Sequence, residues 1–452
     1  MKKTLHAFLD VRRDELPLAL LMFAYFFLVI TTFWILKPLK KGLFIEFYDQ
    51  GGIDLLGLAF SAPQAELLAK ILNMVVAFAA VVVFSQLSHK LRRQQLTFVF
   101  AGFFIVCCVL FSRWLMTPGD LGIWSFYLFG DLYSTLMVAT FFSFLNDSVT
   151  PDAAKRLYGL IGLGGVCGGV FGTSVVSANV SLLSDSAWLW VCSGITGLIA
   201  VVAWGAGRQV TPAVKPAVKP AVKPTVQSAA ITPPSAAPSP RSGNAATEGA
   251  RLVFSSRYLL SIVAIVGLYE VISTIIDFQF TFTVAHYLDG PEIGRHFALV
   301  FTITNWVSLF VQLFLTGFIM TRFGVAMALL VLPFVITMGS TAFLVFPLLW
   351  VGSMLSTADN GFSYSINQSA KEALYVPTSD AEKYRAKAFI DMFVQRFAKA
   401  IAVLISLGIT FAVTDMSSLR YLSLVTLVLL AVWIVAARYA GRQFADLEQN
   451  KD

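Results

Sequence analysis

Seven ionisable side chains stand inside long apolar stretches of this chain: Asp131, Glu270, Asp277, Asp359, Asp391, Arg396 and Lys399. A charge held at the centre of a bilayer costs about 2.5–3.5 kcal/mol on insertion scales, so each must face a partner or a watery cavity. Their spacing groups them. Glu270 and Asp277 are two helical turns apart and share a face, and Arg396 and Lys399, three apart, do likewise. Asp359, Ser363 and Asn367 step by four, a polar stripe that leads toward Lys371. Such groups either line a central aqueous cavity or pair between helices and lock a bundle. Taken as a set they point to cavity lining, with the bases drawing in an anion and the acids coupling protons or forming gates.

Other chemistry finds less support. Gly159, Gly162, Gly164, Gly165, Gly168, Gly169 and Gly172 invite comparison with a phosphate-binding loop, but no strand precedes them and Cys167 stands where the last glycine of the dinucleotide fingerprint belongs. Gly165/Gly169 and Gly168/Gly172 read instead as small-residue pairs that let helix backbones approach. His6, His89, His286 and His296 form no metal-ligand pattern. Cys107, Cys108, Cys167 and Cys192 lie in apolar runs and read as small packing residues. No nucleophile stands beside a base. The expectation is a protein that is not an enzyme and needs no metal or cofactor.

The elements that must position the charges follow from composition. Of 452 residues 57% are hydrophobic and 13% charged, with a mean hydropathy of +0.75. Soluble domains carry about 25% charged residues, so a water-soluble globular protein is excluded and lipid is the expected solvent. A bilayer core needs roughly 20 apolar residues per helix. That ruler predicts an all-α membrane protein of twelve spans, near 16–37, 64–87, 96–115, 121–146, 157–183 and 186–206, then 257–285, 295–320, 324–345, 347–370, 386–413 and 417–440. The polar segment before Leu16 and the 21-residue apolar run after it do not fit a cleaved signal, so the first run is read as a retained helix.

Between the two sets of six, residues 208–252 repeat Pro-Ala-Val-Lys and then become rich in Pro, Ala and Ser, the composition of a flexible linker. The predicted divisions are 1–207, 208–256, 257–441 and a 442–452 tail. The net charge of +7 could suggest nucleic acid, but the basic residues concentrate in alternate loops. With both termini cytoplasmic, most of the 33 basic residues fall inside, and Lys37, Lys40, Lys41 and Lys70 are read at the outer ends of helices. Two six-helix halves joined this way are the layout of the major facilitator fold, whose substrate site lies near the midplane between the halves.

Three stretches resemble the nucleotide transporter (ATP/ADP translocase) family. Lys371-Glu372-Ala373-Leu374-Tyr375-Val376-Pro377, followed by Lys387-Ala388-Phe389-Ile390-Asp391 and Arg396-Phe397-Ala398-Lys399, is similar to that family's Lys-Glu-Met-Ala-Tyr-Ile-Pro segment and the charged helix after it. Asp131 through Phe141-Phe142-Ser143-Phe144-Leu145-Asn146, with Lys155-Arg156-Leu157-Tyr158 beyond, resembles an acidic residue, a Phe-Trp-x-Phe-Ala-Asn run and a Lys-Arg-Phe-Tyr. Leu36-Lys37-Pro38-Leu39-Lys40-Lys41-Gly42-Leu43 looks like the Leu-Arg-Asp-Leu-Lys-Asp-Thr-Leu closing the family's first helix, and Tyr269-Glu270-Val271 fits its Glu-Val-Thr-Trp-Lys motif. The resemblance implies that Lys40, Asp131, Glu270 and Lys371 bind or gate a nucleotide. Lys41 stands where the family has an acid, and the Lys expected after Val271 is absent.

The expectation is therefore a multi-pass inner-membrane secondary transporter, with the lipid bilayer and an anionic metabolite such as ATP or ADP as its partners and no role for nucleic acid. The candidate binding or gating set is Lys37, Lys40, Asp131, Glu270, Asp277, Asp359, Asn367, Lys371, Glu372, Asp391, Arg396 and Lys399. A mid-span surplus of acids, with Lys37, Lys40 and Lys371 only at the mouths, suits proton or cation coupling at least as well. That keeps two rivals open: a proton-coupled permease for a non-nucleotide or lipid-like substrate, and a non-transporting scaffold or sensor.

Overall fold

A computed structural model describes residues 12, 15–55, 57–149, 151–209, 251–378, 386–413 and 417–449. Residues 210–250 of the 208–256 linker, and the side chains of Asp391, Lys155 and Arg156, lie outside the described set. The first half comprises α1 (Leu16–Tyr48), β1 (Ile53–Leu55), β2 (Leu58–Phe60), α2 (Ala62–Lys90), α3 (Arg93–Trp114), α4 (Asp120–Ser148), α5 (Pro151–Asn179) and α6 (Asp185–Gln209). The second opens with α7 (Arg257–Tyr287), α8 (Pro291–Phe310), a π-helical turn over Val311–Thr316 and α9 (Gly317–Val345). It continues through α10 (Leu349–Phe362), a π turn over Ser363–Asn367, α11 (Gln368–Ala373), α12 (Lys387–Phe389), a π turn over Ile390–Val394, α13 (Gln395–Ala412) and α14 (Ser417–Gln449).

Among the described residues, ten stretches are long and apolar enough to cross a membrane, one of them extending from Pro291 to Val345. Within it Gly324 leaves the helical region at φ 79°, ψ 175°, which breaks the run. The outward faces carry side chains that a soluble protein would bury: Val75, Phe78, Leu110, Phe334, Leu404 and Val428 are all more than half exposed. Lipid tails solvate these while the helices satisfy their own backbone hydrogen bonds, so the protein is a multi-pass membrane protein.

Three cores hold the molecule together. One lies mostly in the first half, around Tyr25, Phe104, Tyr133, Phe141 and Trp188, and takes in Ala298 of α8; one lies mostly in the second, around Ile262, Phe278, Phe343 and Trp433, and takes in Leu67 of α2. The third joins the halves. Trp34, Phe44, Ile45 and Tyr48 of α1, with Ala65 and Ala69 of α2 and Tyr127 of α4, pack against Phe280 and Val284 of α7 and Phe297, Val300 and Phe301 of α8. Apart from Trp34 and Phe301, which sit deeper, these residues lie toward the α1–α2 connection, so the bridging core seals that end of the molecule. Among the described residues no core cluster bridges the halves at the other end.

The sealed end departs from the sequence pattern in two ways. Hydropathy ends the first helix at Lys37, but the helix runs on to Tyr48, because Lys37, Lys40 and Lys41 are taken up inside the protein rather than at its edge. The α1–α2 connection is a short antiparallel hairpin, Ile53 opposite Phe60 and Leu55 opposite Leu58, the only strands among the described residues. Gly52 enters it at φ 58°, where a Cβ would stand 2.4 Å from the Phe60 carbonyl oxygen. The α5 glycines pack α1 as small residues do: a Cβ at Gly164, Gly168 or Gly172 would lie 2.6, 2.4 or 2.7 Å from the carbonyl oxygens of Phe23, Phe27 and Thr31.

Candidate functional site

Just beneath the bridging core, between the halves, is a cavity of about 410 Å³, within the range that takes a small organic ligand. Five lysines line it, Lys37, Lys40, Lys41, Lys70 and Lys399, with four carboxylates, Glu66, Asp131, Glu270 and Asp277. Tyr127, Tyr269, Phe301 and Tyr364 supply aromatic walls, and Asn73, Ser273, Thr274 and Asn360 add neutral polar groups. The acid surplus expected from the sequence is reversed here. Three of these lysines come from the continuation of α1 and a fourth from α2, all positions that hydropathy alone assigns to helix ends.

Local structure explains how each is held. Ser61 caps α2 by donating its backbone N–H to Gln64 Oε1 at 2.9 Å, which starts the helix four residues before Glu66, so Glu66, Lys70 and Asn73 fall on one face. On α1, Lys37, Lys40 and Lys41 likewise point one way. Gly130 on α4 leaves room for the Lys40 stem, since a Cβ there would meet Lys40 Cδ at 2.7 Å. The Lys40 ammonium then pairs with Asp131 and lies 4.3 Å from the Tyr127 ring centroid, while Asn73 Nδ2 donates to the second Asp131 oxygen at 3.0 Å. Glu66 is almost wholly buried and accepts from Tyr127 Oη at 2.9 Å, with Lys41 at 3.4 Å and Lys70 at 3.5 Å.

The ion pairs sort by whether they cross between the halves. Lys40–Asp131 stays within the first half and Lys399–Glu270, at 3.5 Å, within the second. The crossing pairs converge on Asp277, with Lys41 Nζ 2.8 Å from one oxygen and Lys70 Nζ 2.5 Å from the other. Lys37 differs from the rest. Among the described residues no carboxylate stands within ion-pair distance of it. Its ammonium sits 4.5 Å from the Trp34 ring centroid and 5.0 Å from that of Phe301, and it donates weakly to Tyr364 Oη at 3.4 Å.

The remaining candidates are placed around this cavity rather than in it. Asp359 is buried behind the wall and accepts from Ser273 Oγ at 2.6 Å, its other oxygen having no partner among the described residues. Asn367, fully buried in the π turn, has no hydrogen-bond partner for either amide atom among the described residues. Lys371 and Glu372 line a separate pocket of about 300 Å³ with Val266, Gln368, Tyr375, Lys387 and Gln395. Glu372 pairs with Lys387 at 2.5 Å, and the Lys371 ammonium lies 4.9 Å from the Tyr269 ring, which separates this pocket from the central one. Arg396 is part-buried on α13 and is not in the central lining. The Asp391 side chain lies outside the described residues. No group of three or more His, Cys, Asp or Glu is arranged to hold a metal ion among the described residues.

Sequence reasoning missed Lys41, Glu66, Lys70 and Tyr127. The signal was present in the i, i+4, i+7 spacing of Glu66, Lys70 and Asn73 within an apolar stretch. Nothing in one chain's sequence, however, says that this face meets Asp277.

The TLC ATP/ADP transporter profile matches residues 113–351 and 347–444. The chain belongs to the TLC ATP/ADP transporter family. Among curated proteins, ADP,ATP carrier protein 1 of Chlamydia pneumoniae is 22% identical over 96% of this chain and 92% of its own length. ADP,ATP carrier protein 1 of Chlamydia muridarum is 24% identical over 98% and 91%. The plastidic ATP/ADP-transporter of Solanum tuberosum is 25% identical over 75% of this chain, which spans only 57% of that longer protein. In three dimensions the chain is similar to a mutant of the nucleoside transporter NupG, with a TM-score of 0.64 and 12% identity over 94% of this chain and 99% of that one. It is also similar to a POT family transporter in complex with 5-aminolevulinic acid, with a TM-score of 0.63 and 11% identity over 94% and 96%. The fold is that of the major facilitator transporters.

Proposed function

We propose that this member of the TLC family is a secondary transporter that carries an anionic metabolite, a nucleoside di- or triphosphate of the ATP/ADP class, through the Lys-lined cavity by alternating access. On this reading the chain has twelve spans in a 6+6 arrangement, counting Pro291–Val345 as two and taking the interrupted α10–α11 and α12–α13 segments as one each. The halves are 1–207 and 257–441, joined by the 208–256 linker and followed by a short tail. Both termini face the cytoplasm of a bacterial inner membrane, and the sealed hairpin end faces outward.

One observation carries the proposal: Lys37 holds an ammonium in the central cavity with aromatic faces around it and, among the described residues, no carboxylate paired to it. Four of the five cavity lysines are already compensated, so the fifth is where an incoming anion gains most. Phosphate oxygens make short charge-assisted hydrogen bonds to such a group, and the Tyr and Phe rings offer a face to a planar base. A charge-assisted hydrogen bond contributes about 1.5–3 kcal/mol, or roughly 10- to 150-fold in binding. Exchange of radiolabelled ATP against ADP by the reconstituted protein should therefore fall by at least about tenfold in Lys37→Gln and recover in part in Lys37→Arg. No nucleotide flux through well-inserted wild-type protein would refute the substrate class.

A second reading, a proton-coupled permease for a non-nucleotide substrate, has Asp359 in its favour. A buried carboxylate with one oxygen unpartnered among the described residues is the kind of group that carries a proton through a membrane. It predicts uptake that collapses with the pH gradient and ignores added ATP.

A further inference from the structure

We propose that Asp277 is a tethered stand-in for the transported anion. In this conformation its carboxylate fills a subsite made by Lys41 and Lys70, which a phosphoryl group of the substrate takes over when the hairpin end opens. The inference rests on the anion reading of the cavity and adds to it the position of a second subsite and the group that guards it.

The geometry is that of a ligand in a clamp. Each Asp277 oxygen faces its own ammonium, 2.8 Å from Lys41 and 2.5 Å from Lys70, and the carboxylate remains 30% exposed toward the cavity. Two converging ammoniums suit the oxygens of a phosphate as well as those of a carboxylate, since both are anions with several acceptor lone pairs. The charges then set up a competition. Lys41, Lys70 and Glu66 all belong to the first half, and Asp277 alone belongs to the second. With Asp277 in place the four groups are neutral. When the halves part at the hairpin end, α7 carries Asp277 away and leaves two lysines against Glu66 only.

Removing one partner of a buried ion pair is costly because the remaining charge is left uncompensated. Opening of the sealed end is therefore favoured when another anion enters the clamp. The other two pairs cannot play this part, because Lys40–Asp131 and Lys399–Glu270 each move as a unit with their own half. Glu66 keeps the clamp from being left with two uncompensated charges, and its own position is fixed by Tyr127 Oη.

The test is equilibrium binding to the full-length protein in nanodiscs, with inorganic pyrophosphate and ADP as separate probes. Asp277→Asn keeps the shape and removes the internal competitor, so both probes should bind about tenfold more tightly, the factor expected if Asp277 holds the clamp for about nine-tenths of the time. Asp277→Glu keeps the competing charge and should gain much less than Asp277→Asn. Adding Lys70→Gln to Asp277→Asn should cancel the gain. If Asp277→Asn binds neither probe more tightly while Lys37→Gln still weakens ADP binding, the clamp is refuted and the nucleotide reading survives. If ADP binds to no form but Asp277→Asn gains pyrophosphate affinity, the clamp holds and the nucleotide reading falls. Should Asp277→Asn fail to insert, gating of the otherwise wild-type protein decides the question. Thr410 accepts from Gln64 Nε2 at 3.0 Å across the sealed interface, so a cysteine placed there reports opening. Saturating ADP or pyrophosphate should raise its labelling by an impermeant maleimide, relative to the unsubstituted protein, several-fold; unchanged labelling with both overturns the coupling.

Discussion

Replacing Gly42 by alanine should unseat the sealed end of the molecule. A Cβ built on Gly42 stands 2.8 Å from the Cα of Gly294, the point where α1 of the first half crosses α8 of the second. Carbon atoms rest at about 3.5–4.0 Å, so the two backbones must separate by roughly an ångström, and no flexible side chain can give way instead. Overpacking of this kind costs about 1–3 kcal/mol. That cost exists only while the hairpin end is closed, because the crossing is lost when the halves part. The closed-to-open ratio should therefore shift about 5- to 150-fold toward opening. The reporter is maleimide labelling at position 410 in reconstituted vesicles, measured beside the thermal midpoint. Gly294→Ala is the internal control: its own Cβ meets nothing within 4 Å, so it should leave both readings near wild type although the two glycines touch. Equal effects of the two substitutions, or a loss of stability in Gly42→Ala without increased labelling, would refute the claim that this crossing is part of a gate.

Two further outcomes follow from the same packing and charges. Gly168→Ala places a Cβ 2.4 Å from the Phe27 carbonyl oxygen inside the first half and should lower stability by about 1–3 kcal/mol, whereas Gly162→Ala, with nothing within 4 Å, should be nearly neutral; thermal unfolding of the two variants decides it. At the hairpin end, beyond the last residue of α1, burial and then the facing charge of Asp289 hold the Asp49 carboxyl above the usual carboxylate range, against a lowering hydrogen bond from the Gly290 backbone. A raised carboxyl favours the folded state when protonated, so its contribution is complete below the ordinary value of about 3.9 and is lost as pH rises through the raised one. Asp49 is largely solvent-screened, so the effect should stay below about 1 kcal/mol. Asp49→Asn should raise the thermal midpoint slightly at pH 7 and flatten its rise on acidification; an unchanged pH profile would remove the Asp49–Asp289 repulsion from the account.

Composition and run length were enough to establish the solvent and most of the helices. A chain with 13% charged residues and 40 Phe cannot bury its apolar surface in its own core, so lipid must take up the rest, and the run lengths then follow from bilayer thickness. The same reading picked out residues costly enough to require a reason: Asp131, Glu270, Asp277 and Lys399 all carry charge in apolar stretches, and all four line the cavity. Arg396, flagged by the same rule, does not, because residing in a span says nothing about which face meets the cavity. Where the water ends emerges only from the folded chain. Lys37, Lys40, Lys41 and Lys70 read from sequence as helix ends, because an isolated ammonium belongs at an interface; in the fold three of them meet carboxylates from α2, α4 and α7, and Lys37 meets a ring of aromatics. Charge compensation is a property of pairs. Lys41 and Asp277 lie 236 residues apart in the chain, and no local pattern could bring them within 2.8 Å.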